Sequence, residues 1–103
     1  MKKKSSKLAK LEKSRFSVFC TDSKCNLCDS TYQLTWDEIF KGSNRQMSMK
    51  YGFCIRLCLN CHRKINEDYE YIDYWHKIAQ NYYEEHYGTR EDFIKDFGRN
   101  YLD

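Results

Sequence analysis

Proline is missing altogether and glycine occurs only four times in 103 residues. No proline-stiffened or glycine-rich linker therefore divides the chain, and its length fits one small domain. Long apolar runs are missing as well. Nothing approaches the roughly 18 consecutive apolar residues of a membrane span, and Met1-Lys2-Lys3-Lys4-Ser5-Ser6 is not followed by an apolar stretch of signal-peptide length. Neither secretion nor membrane insertion is expected, and no membrane partner. What the chain does have is six cysteines. In a reducing compartment, cysteines at short spacing point to metal ligation rather than disulfides, and a domain this small commonly needs such a cross-link.

Charge is unevenly spread. Residues 1–15 carry seven basic and one acidic side chain, residues 16–65 seven and four, and residues 66–103 four and ten. A polyanion would meet the first two segments and avoid the third. Lys2, Lys3, Lys4, Lys7, Lys10, Lys13 and Arg15 form a basic N-terminal tail, and Lys41, Arg45, Lys50, Arg56, Arg63 and Lys64 carry the positive sign through the cysteine-bearing segment. That continuity suits nucleic acid. The division expected is a tail over 1–15 and one domain over 16–103.

Within the tail, Leu8 and Leu11 can support a short helix. Thr31 to Trp36 is rich in β-branched and aromatic residues and reads as a strand delivering Asp37 and Glu38 at its end. Lys41 to Arg45 reads as a loop, Gly52 as a second break, and Phe53 to Leu57 as a second strand. Asn60 to Asn66 is a short helix. Tyr69 to Tyr87 places Ile72, Trp75, Ile78, Ala79, Tyr82 and Tyr83 at helical spacing up to Gly88, and Thr89 with Asp92 caps a last helix closed by Gly98. There is no internal repeat.

Cys25 and Cys28 form one CxxC and Cys58 and Cys61 another, with 29 residues between them. Each CxxC aims two thiolates at one point, and Zn²⁺ accepts four sulfurs tetrahedrally; a shell so closed is structural. Cys20 and Cys54 read as small buried hydrophobes, with Cys20 in place of Cys25 as the alternative ligand. Strand, long loop, strand and helix pinned by one zinc make a small α+β domain, a ββα finger that can hold a second, hard divalent ion. Asp37 at the strand end, His62 after Cys61, and Asn66 on the same helical face as His62 are its candidate ligands. Glu38 is the nearby candidate base for activating water, although neighbours on a strand face opposite ways. His76 and His86, in the acidic helical part, read as surface residues.

The pieces Cys25-Asn26-Leu27-Cys28, Trp36-Asp37-Glu38-Ile39-Phe40, Gly42-Ser43-Asn44-Arg45, Tyr51-Gly52-Phe53, Leu57-Cys58-Leu59-Asn60-Cys61-His62, Ala79-Gln80, Tyr83-Glu84-Glu85 and Phe93 to Leu102 resemble the small HNH nucleases of bacteriophages and prophages, in the His-Me finger (ββα-metal) group. The resemblance runs from about Cys25 to Leu102. It implies a metal-dependent endonuclease acting on double-stranded DNA in the cytoplasm of an infected or lysogenic bacterial host, near a phage protein partner. It also implies structural Zn²⁺ and catalytic Mg²⁺ or Mn²⁺. By the resemblance, Lys41, Arg45, Arg63 and Lys64 contact phosphates, and the helix after Cys61 lies against the minor groove. The chain departs from the family where Asp37-Glu38 replaces the usual His-containing pair and Asn66 a common His. Two other functions compete: a catalytically inactive zinc module that binds DNA, and a protein-interaction adaptor docking through the tyrosine-rich helices.

Overall fold

The computed structural model describes residues 6–20 and 22–102, so Lys2, Lys3 and Lys4 of the basic tail lie outside the described residues. Its centre is an antiparallel pair, β1 (Leu34–Glu38) and β2 (Cys54–Cys58), with Leu34 opposite Cys58, Asp37 opposite Ile55 and Glu38 opposite Cys54. β1 starts later than its β-prone residues suggest. Gln33 is turned to φ +51°, and its carbonyl accepts the Leu59 N–H at 3.1 Å, so Thr31 and Tyr32 stay outside the ladder. Asp37 and Glu38 are the last two residues of β1, at the strand end as expected.

Helix α1 (Ser6–Lys13) precedes the pair. The expected tail is thus partly built into the body: Glu12 pairs with Arg45 at 3.0 Å and Arg15 with Glu38 at 2.7 Å. Between the strands, where a loop and a glycine break are expected, a single 3₁₀ turn (Gly42–Asn44) leads into helix α2 (Arg45–Tyr51). Tertiary contacts explain this helix better than propensity does. The buried Ser48 hydroxyl donates to the Phe40 carbonyl at 2.7 Å and accepts the Phe40 N–H at 3.0 Å, so the strand exit is stitched to the helix. Gly52, at φ +77°, then ends α2 in the left-handed region, where a Cβ would also run into the Phe16 ring.

Three helices follow β2: α3 (Leu59–Ile65), α4 (Tyr69–His86) and α5 (Arg90–Phe97). The starts of α4 and α5 follow capping chemistry. The Asp68 side chain accepts the Tyr71 N–H at 3.1 Å, and Thr89 and Asp92 form a reciprocal capping box at 3.1 and 3.0 Å. Asp96 accepts from both Tyr51 Oη at 2.7 Å and Tyr83 Oη at 2.8 Å, tying α5 to α2 and α4. Gln80, fully buried, donates to Glu84 and Asn100 and accepts the Tyr101 N–H at 2.7 Å, so the residues after α5 fold back over α4. No helix among the described residues is long and apolar enough to cross a membrane.

Phe40, 1% exposed, is the hub of the core. Its ring lies 4.5 Å from that of Phe97, 5.7 Å from Phe93, 5.3 Å from Tyr101 and 6.2 Å from Phe53, with His76 stacked at 4.8 Å. Tyr82 and Tyr83 also pack inward, whereas Tyr69 and Tyr74 are exposed. Because Phe40 joins the strand exit to α4 and α5, Phe40→Ala is expected to lower unfolding free energy by about 3–5 kcal/mol. Urea denaturation of the metal-loaded protein measures this, and a loss under about 1 kcal/mol would show that the hub is not packed as described.

Candidate functional site

The first CxxC turn is held by its own backbone. Cys25 N–H donates to the Ser30 carbonyl at 2.7 Å, Asp29 N–H to the Cys25 carbonyl at 3.0 Å, and Asn26 N–H to the Arg56 carbonyl of β2 at 2.8 Å. The second pair spans the junction of β2 and α3, with Cys58 ending the strand and Cys61 in the first turn of the helix. The two turns bring the sulfurs of Cys25, Cys28, Cys58 and Cys61 within 4.8 Å of one another, Cys28 and Cys58 at 3.6 Å. A zinc-centred tetrahedron with bonds of about 2.3 Å places its sulfurs about 3.8 Å apart, so this cluster can hold a structural metal ion such as zinc. Cys20 is outside it, 3.7 Å from Asn26 Oδ1, and Cys54 is buried in the core.

Charge on the sulfurs supports the same conclusion. Burial pushes the Cys25 thiol up, but backbone hydrogen bonds from Cys58, Cys28 and Leu27 outweigh it and hold it at about 6; burial and the neighbouring sulfurs push Cys61 up to about 12. Without a cation the four sulfurs cannot all ionise together. A divalent ion removes that conflict, and its uptake must release protons. Cys54 is pushed up to about 12 by burial and then by the Glu38 charge, which suits an inert core thiol.

One turn beyond Cys61, a second cluster forms where α3 meets β1. Asp37, 4% exposed, has Oδ1 at 3.1 Å from Lys41 Nζ and at 3.4 Å from His62 Nδ1. The same Lys41 ammonium donates to Asn66 Oδ1 at 3.1 Å. Asp37, His62 and Asn66, expected from the sequence to converge, are thus brought together, with a cation already between two of them. His62 Nδ1 is buried and makes no hydrogen bond, its approach to Asp37 being too poorly placed for one.

Glu38 is not brought to this cluster. Strand alternation turns it to the other face of β1, where Oε1 accepts from Arg15 Nη2 at 2.7 Å and Arg45 Nε at 3.2 Å. It is part of the bracing of α1 and α2, which corrects its expected place as a base beside Asp37. Arg45 is likewise engaged inside the fold, and its pairing with Glu12, then Glu38, pushes its guanidinium further up. Of the residues expected to face phosphate, Lys41, Arg63 and Lys64 are exposed, and so are Lys10 and Lys13 of α1.

His86 is on the surface, but His76 is not the surface residue expected. It is half-buried, with Nε2 at 3.1 Å from the Ile39 carbonyl and its ring on Phe40, and burial holds its imidazole below the usual histidine range. Its sequence carried no signal of this, because both partners lie far back in the chain.

Structural zinc contributes about 10–16 kcal/mol in small domains, comparable with the whole of a typical domain's stability of about 5–15 kcal/mol. Exhaustive chelation at neutral pH is therefore expected to abolish the cooperative thermal transition seen by circular dichroism, and re-addition of Zn²⁺ to restore it. An unchanged melting curve would show that the cluster does not hold the fold. No family model, curated protein or solved structure matches this chain, so the reading of its site rests on the residues themselves.

Proposed function

We propose that this chain is a metal-dependent endonuclease of the HNH, His-Me finger type that hydrolyses phosphodiester bonds of double-stranded DNA. In this reading β1, β2 and α3 form the ββα unit clamped by the zinc. The observation that carries the reading is the meeting of Asp37 with His62 and, through the Lys41 ammonium, with Asn66, beside the cysteine cluster. Two oxygens and an imidazole nitrogen that otherwise lacks a partner are a suitable donor set for a hard divalent ion, and an ammonium already neutralises Asp37 where the ion would do so.

Magnesium or manganese held by Asp37, Asn66 and His62 would supply Lewis acidity toward a phosphate oxygen and neutralise charge at the leaving 3′ oxygen. Lys41, freed from Asp37, would carry its charge to the phosphate from an exposed position. Arg63 and Lys64 on α3 and Lys10 and Lys13 on α1 would hold the duplex through its backbone, with little sequence preference. Asp37, fixed in the ladder opposite Ile55, would keep its oxygens in place without rearranging.

Proton removal from the attacking water is the step with least support from the side chains. Glu38 faces away and is tied to Arg15 and Arg45, and His76 Nε2 is engaged with the Ile39 carbonyl. Hydroxide from solvent is then the nucleophile, and cleavage should be slow. Supercoiled plasmid is expected to be nicked with Mg²⁺ or Mn²⁺, at a rate rising about tenfold per pH unit above neutrality, as for a step without a titrating base. Asp37→Ala and His62→Ala should abolish nicking, and Glu38→Gln should act only through stability. Absence of nicking with every divalent ion tested would refute the nuclease reading.

One observation favours a second reading, an inactive zinc module that binds DNA: the Lys41 ammonium occupies the place the ion needs. The two readings diverge on Lys41→Met. A partly exposed ion pair is worth at most about 1 kcal/mol, so removing the competing ammonium should tighten Mn²⁺ binding about fivefold if Asp37 and Asn66 take an ion. Manganese paramagnetic resonance measures this; a variant that binds Mn²⁺ no better than the parent leaves salt-sensitive DNA binding without cleavage as the function.

A further inference from the structure

The four cysteines that can hold a metal ion are not equally sheltered. Cys25 is fully buried and Cys58 and Cys61 are 7% and 8% exposed, whereas Cys28 is exposed. Asn26, Leu27 and Asp29 are exposed beside it, so the turn that carries Cys28 lies in water. Ligation makes all four sulfurs thiolates, the form that oxidants attack, and exposure is then what distinguishes them. The Cys28 sulfur is also 3.6 Å from that of Cys58 on the second segment. A disulfide of about 2.05 Å is a displacement of only about 1.5 Å from that contact. Cys61, another of the four, immediately precedes His62, whose ring approaches Asp37 at 3.4 Å.

We propose that Cys28 makes the cluster an oxidant-sensitive switch, in which a peroxide converts Cys28 and Cys58 to a disulfide and the ion they held is given up. The Cys28 thiolate attacks one oxygen of the peroxide: an S–O bond forms, the O–O bond breaks and hydroxide leaves, giving a sulfenic acid. The Cys58 thiolate then attacks the Cys28 sulfur: the S–S bond forms, the S–O bond breaks and a second hydroxide leaves. Two electrons pass from the two sulfurs to one hydrogen peroxide, and both hydroxides take protons from solvent. Disulfide sulfurs carry no charge, so Cys25 and Cys61 alone remain as thiolates, two short of the closed shell that structural zinc requires. Cys61 loses its anchor one residue before His62, and the approach of His62 to Asp37 loosens with it. This last step adds regulation to the nuclease reading and rests on it; the oxidation itself does not.

The test starts from the zinc-loaded full chain carrying Cys20→Ser, which removes the half-buried thiol outside the cluster. Hydrogen peroxide is expected to release the zinc, read with a chromophoric chelator, and dithiothreitol with added Zn²⁺ to restore the loaded form. Trypsin leaves Cys25 and Cys28 on one peptide, 25–41, and Cys58 and Cys61 on another, 57–63. Mass spectrometry of the unreduced digest should therefore find these two peptides joined, with fragmentation placing the bond between Cys28 and Cys58. Cys28→His keeps a ligand that zinc accepts and removes the exposed sulfur, and should slow zinc release at least about tenfold. Brief treatment of the loaded Cys20→Ser chain with N-ethylmaleimide asks the same question without changing a ligand: Cys28 should be alkylated ahead of the other three. A disulfide within either CxxC, release from Cys28→His as fast as from the parent, or another of the four alkylated first overturns the proposal. Undiminished nicking by the oxidised chain overturns its role as a switch. Zinc release through a Cys28–Cys58 disulfide in a protein that cuts no DNA supports the oxidation chemistry and removes the nuclease reading instead.

Discussion

The pairing register of β1 with β2 is the constraint from which the rest of this structure follows. Leu34 opposite Cys58 places the second cysteine pair at the end of the ladder, where the chain can turn directly into α3. The backbone bond from Asn26 to Arg56 then brings the first cysteine pair to the same spot. Asp37 and Glu38 are committed to opposite faces by the same register, so that one carboxylate joins His62 and Asn66 while its neighbour braces α1 and α2. A slip by one residue would exchange their roles and move the cysteines off their common centre. A two-stranded ladder is only marginally stable alone. The four-cysteine cluster at one end, which can hold a metal ion, and the Phe40 hub at the other support this register.

Those two supports act on different parts of the chain. The four sulfurs join segments far apart in sequence, whereas the aromatic cluster gathers the strand exit, α4 and α5. Polar fastenings between them include Ser48 on Phe40, Gln80 on Tyr101, and Asp96 under Tyr51 and Tyr83. Each satisfies a buried group that would otherwise cost about 1–3 kcal/mol. Burial, followed by its hydrogen bond to Asp96, pushes the Tyr83 hydroxyl well above the usual phenol range.

Local rules account for what could be read from the sequence. CxxC spacing is a property of one turn, so the quartet was legible, and a 3.6-residue apolar rhythm with Thr89-Asp92 capping sufficed for α4 and α5. The convergence of Asp37, His62 and Asn66 followed once the strand and helix were placed. Helix α2 was not legible, because its seven residues are held by Ser48 binding Phe40 and by Met49 in the core rather than by propensity. Neither was the engagement of Arg45, whose partners Glu12 and Glu38 come from two other elements. His76 is the clearest case: its environment is set by Ile39, 37 residues earlier, and a histidine among acidic residues on a helix gives no hint of a stacked, half-buried ring. The start of β1 is set in the same way, since Gln33 has no turn signature and is bent where its carbonyl accepts the Leu59 N–H.

The cation beside Asp37 is where structure and chemistry depend on each other. A carboxylate only 4% exposed needs a positive partner, because transfer of an isolated charge out of water costs several kcal/mol. Lys41 meets that need from outside, with a flexible stem and a half-exposed head, so the partner is replaceable in a way that a buried arginine would not be. The asymmetry between Asp37 and Glu38 sharpens the point. Glu38 is held by two guanidiniums, whereas Asp37 has one half-exposed ammonium, which also reaches the Asn66 amide oxygen, and the His62 imidazole at 3.4 Å. The two adjacent residues of one strand thus differ in how firmly their charge is held, Glu38 by arginines that follow α1 and begin α2, and Asp37 by an exposed lysine four residues further on.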